Sequence, residues 1–362
     1  MIFTILSPAL EPIGDIDVTI SSIWDKHYRD NGYAEIYTEA TPRAVALLKE
    51  GNYITREDDP CVARIYSIAT DTTEDDGEVI VAAAHFAHAV LGRRIIWNRT
   101  TVKGNVEAVV RSLIVDNCIA PTDKHGNIMS ARIIPEITLG ELSGLTDTMK
   151  TQQVSYANLQ EYIMEICATF HYGLRAIMNT DKTKIALECY TGTDRSYRQT
   201  QNNFVVFSQE NENLFGFSYK YDESTKVNVA LVGGEGEGID RKLAQIGTAS
   251  GIDRVEVFVD AKDISSTVEN SDGTTTTQYT ETQYNELLEE RGRLNMSPAS
   301  ESFDASVDLT RSYKYRQDFD VGDIVTIYDQ HAGIYVNVRL MSVLETEDAS
   351  GYTLTPTFAM DF

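Results

Sequence analysis

Five groups of residues have types and spacings that chemistry could use. The first is the segment Val227–Gly247, where a β-branched run leads into Gly233, Gly234, Gly236 and Gly238. Backbone N–H groups of such a turn can cradle a phosphate at a helix start. Here Ile239 stands where the dinucleotide pattern needs its third glycine, no Lys-Ser/Thr pair follows, and Glu235 and Glu237 would repel a phosphate. A glycine-rich strand connection is the favoured reading. The second group is His85 and His88, at i and i+3, which could present two metal ligands on one helical face. No third ligand has a matching spacing, and Ala84, Phe86 and Ala87 are the neighbours of a packed helix. The third, Asp71, Glu74, Asp75, Asp76 and Gly77, has the composition of a calcium loop without its acidic spacing or its glycine at the sixth position. It reads as a solvated turn.

The fourth group, Asp323, Asp329 and His331, lies near a turn, yet no Gly-x-Ser-x-Gly elbow or activated cysteine supplies a nucleophile. No pair of carboxylates has a context that marks a glycosidase dyad. The fifth is Cys61, Cys118, Cys167 and Cys189, widely spaced and set among apolar residues. Buried, reduced thiols are expected. Trp24 and Trp97 also sit in apolar surroundings and are expected in the core. The residues therefore lead to no expected catalytic site, metal site or cofactor.

The elements that carry these residues are mostly strands. Residues 2–20 read as two strands around a Pro/Gly turn, and Ile23-Trp24, Gly32–Ala40, Tyr53-Ile54, Val62–Ala69 and Glu78–Ala84 as further short strands. Ala44–Leu48 is a short apolar segment. The period then changes. His85–Leu91 has helical spacing, and Val106, Val109, Val110, Leu113 and Ile114 form an amphipathic helix. Ser155 is placed to cap a second helix carrying Leu159, Ile163, Ile166 and Phe170. Tyr172–Met178 and Lys184–Tyr190 make a hairpin. Asn202–Phe207, Phe215–Tyr221, Val227–Val232, Val255–Val259 and Phe303–Leu309 return to β alternation. Between them, Ser265–Gln278 reads as a mobile loop or hairpin tip, and Leu287-Leu288 lies in a short helix ended by Gly292. No internal repeat is obvious by residue identity.

The last fifty residues form a meander. Ile324–Tyr328 is a strand, Asp329–Gly333 a hairpin loop, and Ile334–Val343 alternates strictly. Acidic Glu345–Asp348 should break that run, and Tyr352–Phe358 returns as an edge strand because Pro356 cannot donate to a ladder.

At 362 residues the chain exceeds one ordinary core, so two or more domains are expected. No window approaches eighteen uninterrupted apolar residues, and Met1-Ile2-Phe3 opens without a basic leader, so neither a membrane segment nor a secretory signal is expected. A net charge of −24 argues against stable nucleic-acid binding, which rests on neutralising phosphates. It suits solubility, and it would also suit the wall of a conduit that must not hold passing DNA.

The run DFDVGDIVTI at Asp318–Ile327, the hairpin, GIYVNVRLMSVLETED at Gly333–Asp348 and GYTLTPTF at Gly351–Phe358 resemble the closing barrel of siphovirus-type phage tail hub proteins. That family includes baseplate hubs and the N-terminal hub region of tail-associated lysins. Ile23-Trp24, Gly51-Asn52, the stretch Cys61–Ile96 and Asn105–Asn117 extend the resemblance over nearly the whole chain. It implies a β-rich α+β fold of two tail-tube-like antiparallel β-barrels with an inserted α/β domain. The first barrel would occupy 1–84 and be completed by about 200–215, the inserted domain 85–200, and the second barrel 216–362 with a loop and helix insertion near 235–300. The implied function is a structural hub in the virion, at the distal end of a tail assembled in the host cytoplasm. Three copies would form a ring joining the hexameric tail tube to the tip or spike, around the DNA passage. Implied partners are a tail tube or distal tail protein, a tape-measure protein, and a tip, spike or receptor-binding protein. The alternatives are a cell-wall-degrading tail enzyme, which lysins carry beyond the point where this chain stops, or a carbohydrate-binding receptor module.

Overall fold

Ser21–His27 and Tyr33–Glu39 both alternate between buried and half-buried residues, so each lays one face on a core and forms a rung of the main sheet. The computed structural model describes residues 1–73, 77–269 and 275–361. Contacts group them into two units, Met1–Phe215 with Val307–Phe362, and Gly216–Ser306.

The first unit is built on a 14-stranded sheet. Its path runs from Val206–Ser208 through Ile324–Asp329, Ile334–Asp348, Ser21–His27, Tyr33–Glu39, Gly77–Phe86, Asp59–Thr73, Gly173–Met178 and Ile185–Tyr190 to Ile137–Leu139. Phe3–Leu6, Pro12–Ile16, Tyr53–Arg56 and Gly351–Ala359 attach beside that path. Pairing is antiparallel except at the two ends of the path. Among the described residues the strands do not close into a ring.

Ile334–Asp348 holds the two chain ends together. Its first half pairs with Ile324–Asp329, and its second half with Ser21–His27 on one side and Gly351–Ala359 on the other. The expected alternation is there, but Val336–Leu340 is buried on both faces, as befits a central strand. The strand also runs on through Glu345–Asp348, where the sequence suggested a break. Among the described residues Gly351–Ala359 pairs only with this strand and carries Pro356, so the edge position expected from the proline is found.

The helix Val106–Ile114 forms as its spacing requires, with Asn105 accepting from the Ala108 N–H at 2.9 Å. The next helix, Leu159–Thr169, starts one turn later than expected. Asn158, not Ser155, is its cap and accepts from the N–H groups of Gln160 and Glu161. The helical spacing of His85–Leu91 also misleads. His85 belongs to the strand Gly77–Phe86, flanked by Tyr33 and Arg64 on either side, and the chain then turns as a 3-10 helix over Ala87–Arg93. Sheet pairing overrides the local period there. These helices share one core with the Gly173–Met178/Ile185–Tyr190 hairpin, centred on Val110, Leu113, Ile163 and Leu187. A second core, around Phe3, Trp24, Ile36, Ile54 and Phe86, lies under the opening strands.

The unit Gly216–Ser306 contains a three-stranded sheet ordered Leu243–Ile246, Val229–Gly233, Glu256–Asp260. The helix Glu281–Arg293 packs on it through Tyr284 and Leu288. Thr280 and Gln283 form a reciprocal capping box at the helix start. Gly292 does not end the helix. It lies within it, where a Cβ would collide with Ile246 and Val232. Within Ser265–Gln278, Thr267–Glu269 pairs with Thr275–Thr277 as a hairpin, and Asn270, Ser271, Asp272 and Gly273 lie outside the described residues. Leu214–Asp222 and Ser300–Val307 form a two-stranded ribbon. No helix among the described residues is long and apolar enough to cross a membrane.

Candidate functional site

The glycine-rich segment is the turn between the antiparallel strands Val229–Gly233 and Leu243–Ile246. Its polar groups are spent on one another. Arg241 donates to the carbonyls of Gly233 at 2.7 Å and Gly234 at 3.1 Å, and Lys242 pairs with Glu235 at 2.8 Å. The Lys242 ammonium and the Ser266 hydroxyl hold the Glu235 carboxyl down at about 2. The Tyr284 hydroxyl accepts from the Glu235 N–H at 2.8 Å and donates to the Ile264 carbonyl at 3.0 Å. A Cβ on Gly234 would press into that hydroxyl and into Leu288. Gly233 and Gly234 thus serve close packing, while Gly238 has open space around it and a left-handed φ of 56°. Gly234→Ala is expected to lower stability by about 1–3 kcal/mol through overpacking, read as a shift of the urea midpoint without a change of slope.

The two histidines share no helical face. His85 stands in a strand, stacked on Tyr66 at 4.4 Å, with Nδ1 3.1 Å from the Gly32 carbonyl. His88 is buried in the 3-10 turn, with Nε2 3.0 Å from the Asp30 carbonyl. Asp71 lies in the strand Asp59–Thr73 and Gly77 begins its partner Gly77–Phe86, while Glu74, Asp75 and Asp76 lie outside the described residues. Among the described residues no three His, Cys, Asp or Glu side chains gather to hold a metal.

Asp323 is a structural staple. It accepts from the Thr193 N–H and from Arg195, both at 2.7 Å, tying the segment after Tyr190 to the closing strands. Burial raises its carboxyl even so, against the pull of Arg195. Asp329 accepts from Gln209, and His331 is exposed. The four cysteines are unpaired and buried. Trp24 is in the core, edge-on to Phe86 at 4.8 Å. Trp97 is not: it is 44% exposed, with Arg132 lying 4.7 Å over its ring.

The sequence reading missed a knot of charge inside the first unit. Lys26 from strand Ser21–His27 reaches Asp59 at 3.4 Å and Asp320 at 3.0 Å. Arg56 pairs with Glu345 at 2.9 Å and Asp58 at 2.6 Å. Arg316 bridges Asp58 at 2.6 Å, Asp59 at 3.3 Å, and Glu345. The Tyr352 hydroxyl donates to Glu345 at 2.7 Å. The side chains of Asp59 and Glu345 are fully buried. Burial alone would raise the Asp59 carboxyl, but the charges of Lys26 and Arg316 hold it down at about 2. The signal was periodicity: Lys26 is in phase with buried Trp24, and Glu345 with buried Val343.

Two features of the first unit face outward. Among the described residues Pro12–Ile16 and Gly351–Ala359 each pair along one side only, leaving N–H and C=O groups for another strand. Tyr328, Tyr335, Tyr197 and Phe204 form a surface row, with Tyr328 and Tyr335 stacked at 4.0 Å and Tyr197 6.0 Å beyond.

The sequence profile of the Siphovirus ReqiPepy6 Gp37-like protein family matches residues 2–358. No curated protein sequence matches the chain. The fold is similar to that of the tail protein from Neisseria meningitidis MC58, with 11% identity and a TM-score of 0.54 over 98% of this chain and 95% of that one. It is similar to the 43 kDa tail protein of prophage MuSo2 from Shewanella oneidensis, with 8% identity and a TM-score of 0.54 over 99% and 98%. A chain of the Francisella PdpA–VgrG complex is similar over 99% of this chain but only 57% of its own length, with 7% identity and a TM-score of 0.53.

Proposed function

The chain belongs to the Siphovirus ReqiPepy6 Gp37-like family of siphovirus tail proteins, and from that premise we propose that it is a structural hub at the distal end of the tail. In this reading three copies form a ring that stacks on the six-fold tail tube and passes three-fold symmetry to the tip or spike. The tube, a distal tail protein and a tape-measure protein are its neighbours, and the virion tail is its location.

The observation that carries the proposal is the family match over residues 2–358, supported by a β-rich fold similar to tail proteins along almost their full lengths. The strand layout fits it. Ile334–Asp348 gives its first half to strands that would belong to one tube-like barrel and its second half to strands that would belong to the other. Residues 85–200 would be the α/β insertion between them. A closed ring of chains needs heterologous contacts that return on themselves, and the one-sided strands Pro12–Ile16 and Gly351–Ala359 are suited to make them. The charge of −24 fits a wall that lets DNA pass without holding it.

The role is one of assembly and passage rather than catalysis. The carbohydrate-binding alternative draws on the Tyr197–Tyr335–Tyr328 row, but those rings stack on each other and so present edges more than open faces. Native mass spectrometry of the purified protein, together with imaging of labelled tails, tests the hub. A trimer, free or at the tail end, is expected. A chain that is monomeric in solution and absent from tails overturns the reading.

A further inference from the structure

The unit Gly216–Ser306 contains a short repeat. Gly-Ile-Asp-Arg occurs at Gly238–Arg241 and again at Gly251–Arg254. Both copies fold alike. The glycine takes a left-handed φ of 56° or 64°, the first three residues make a 3-10 turn, and an extended residue precedes each. Each arginine then pairs with an acid of the Glu256–Asp260 strand, Arg241 with Asp260 and Arg254 with Glu256. The isoleucines, Ile239 and Ile252, are fully exposed, at 101% and 99%.

The sheet between the two turns explains their placement. One turn leads into Leu243–Ile246, whose start lies beside Gly233, and the other leads into Glu256–Asp260, whose start lies beside Val229. The isoleucines therefore stand at opposite ends of a sheet roughly 15 Å long. One face of that sheet is covered by the helix Glu281–Arg293. The register puts Leu231, Leu243 and Phe258 on the other face, where they are 39%, 56% and 54% exposed, together with the exposed Gln245, Glu256 and Asp260, and Arg241 lies 5.2 Å over the Phe258 ring. Exposed apolar residues among acids, with a bare isoleucine on a matching turn at each end, gain nothing for the isolated unit, and together they have the chemistry of an interface.

Charge selects the occupant. The sequence from Gly216 to Ser306 holds seventeen acidic residues against eight basic ones. Glu237, Asp240 and Asp253 are exposed beside the turns. A second copy meeting this face with the same face would set acid against acid, and an anionic membrane surface would be repelled. We propose that this sheet face and its two isoleucine turns dock a different protein of the tail, one that offers an apolar surface with a lysine- and arginine-rich rim. The inference rests on the hub reading, which supplies the setting, and adds the surface and the chemistry of its partner.

The test places the photo-crosslinking residue p-benzoylphenylalanine at position 239 or 252 of the full chain, in assembled tails. Both positions are expected to join the same non-self protein, through a segment with more Lys and Arg than Asp and Glu. The double variant Ile239→Asp/Ile252→Asp is expected to cut the amount of that protein retained on the tails at least tenfold. Because both isoleucines touch only solvent, the variant's circular dichroism and urea midpoint should match those of the parent. Adducts only to further copies of this chain, adducts to an acidic segment, or no adducts from tails that contain the chain overturn the inference and leave the hub intact. Tails without the chain overturn the hub reading and this inference with it.

Discussion

Glu345→Ala is expected to destabilise the protein by about 3–5 kcal/mol, read from urea unfolding at neutral pH. The Glu345 side chain is fully buried and takes charge from Arg56 and Arg316, whose own side chains are 4% and 13% exposed. Removing the carboxylate leaves two guanidiniums out of water with a diminished set of partners, and it strips the Tyr352 hydroxyl of its acceptor. Asp58, the remaining partner that the two arginines share, is itself over half exposed and makes a weaker counter-charge, and Arg316 alone keeps the buried Asp59 as well, at 3.3 Å. Glu345→Gln should fall between the parent and the alanine variant, because the amide oxygen still accepts. As a control, Glu212→Ala breaks the exposed Arg311–Glu212 pair and should leave the midpoint unchanged within error. A Glu345→Ala variant as stable as the parent would mean that the knot is solvated and does not join the chain ends.

This knot also marks where the sequence stopped being readable. Strands and helices with a local period were legible: the hairpin at Gly173–Tyr190, the helix at Val106–Ile114 and the closing meander all follow from residues close in the chain. Glu345 was read as a strand breaker because its partner Arg56 lies 289 positions away, and an acidic run without a visible counter-charge reads as a loop. His85 shows the same failure in another form. Its spacing is helical, yet pairing with Tyr33 and Arg64 fixes it in a strand. Ser155 and Asn158 are both good caps, and only the position of the first packed residue, Leu159, chooses between them. The Trp97 ring has apolar neighbours in sequence, yet it is 44% exposed.

The candidate chemistry followed the opposite course. The glycine turn, the histidine pair and Asp323 each lacked a required companion residue in the sequence, and the folded chain gives Gly233, Gly234, His88 and Asp323 a packing or hydrogen-bonding task. A surface, by contrast, has no obligatory motif. The two Gly-Ile-Asp-Arg turns become informative only once their isoleucines are known to touch nothing. For the hub proposed above, whose work would be contact with neighbours, the informative residues are therefore those that the isolated chain leaves unsatisfied.

Acid should weaken the fold through His88. The ring is fully buried beside His27 and His85, and its Nε2–H donates to the Asp30 carbonyl. Burial disfavours the imidazolium, so His88 titrates at about 4, well below the ordinary histidine value, with the nearby His27 and His85 charges pushing the same way and Asp30 opposing. In the unfolded chain it would bind a proton near 6.5, so between about 6.5 and 4 the unfolded state holds the extra proton and stability falls as pH falls. Over that window the loss amounts to about 3 kcal/mol. His27 works in the other direction, since its hydrogen bond to Asp25 raises its pKa and favours the fold below the unfolded value. The knot adds its own loss only at lower pH, because Asp59 keeps its charge down to about 2. The His88 contribution is therefore isolated by difference. Urea midpoints of the parent and of His88→Gln, measured from pH 7 to pH 4, should converge as pH falls, with the parent losing about 3 kcal/mol more across the range. Parallel curves would mean that the His88 ring is already charged, or already hydrated, in the folded protein.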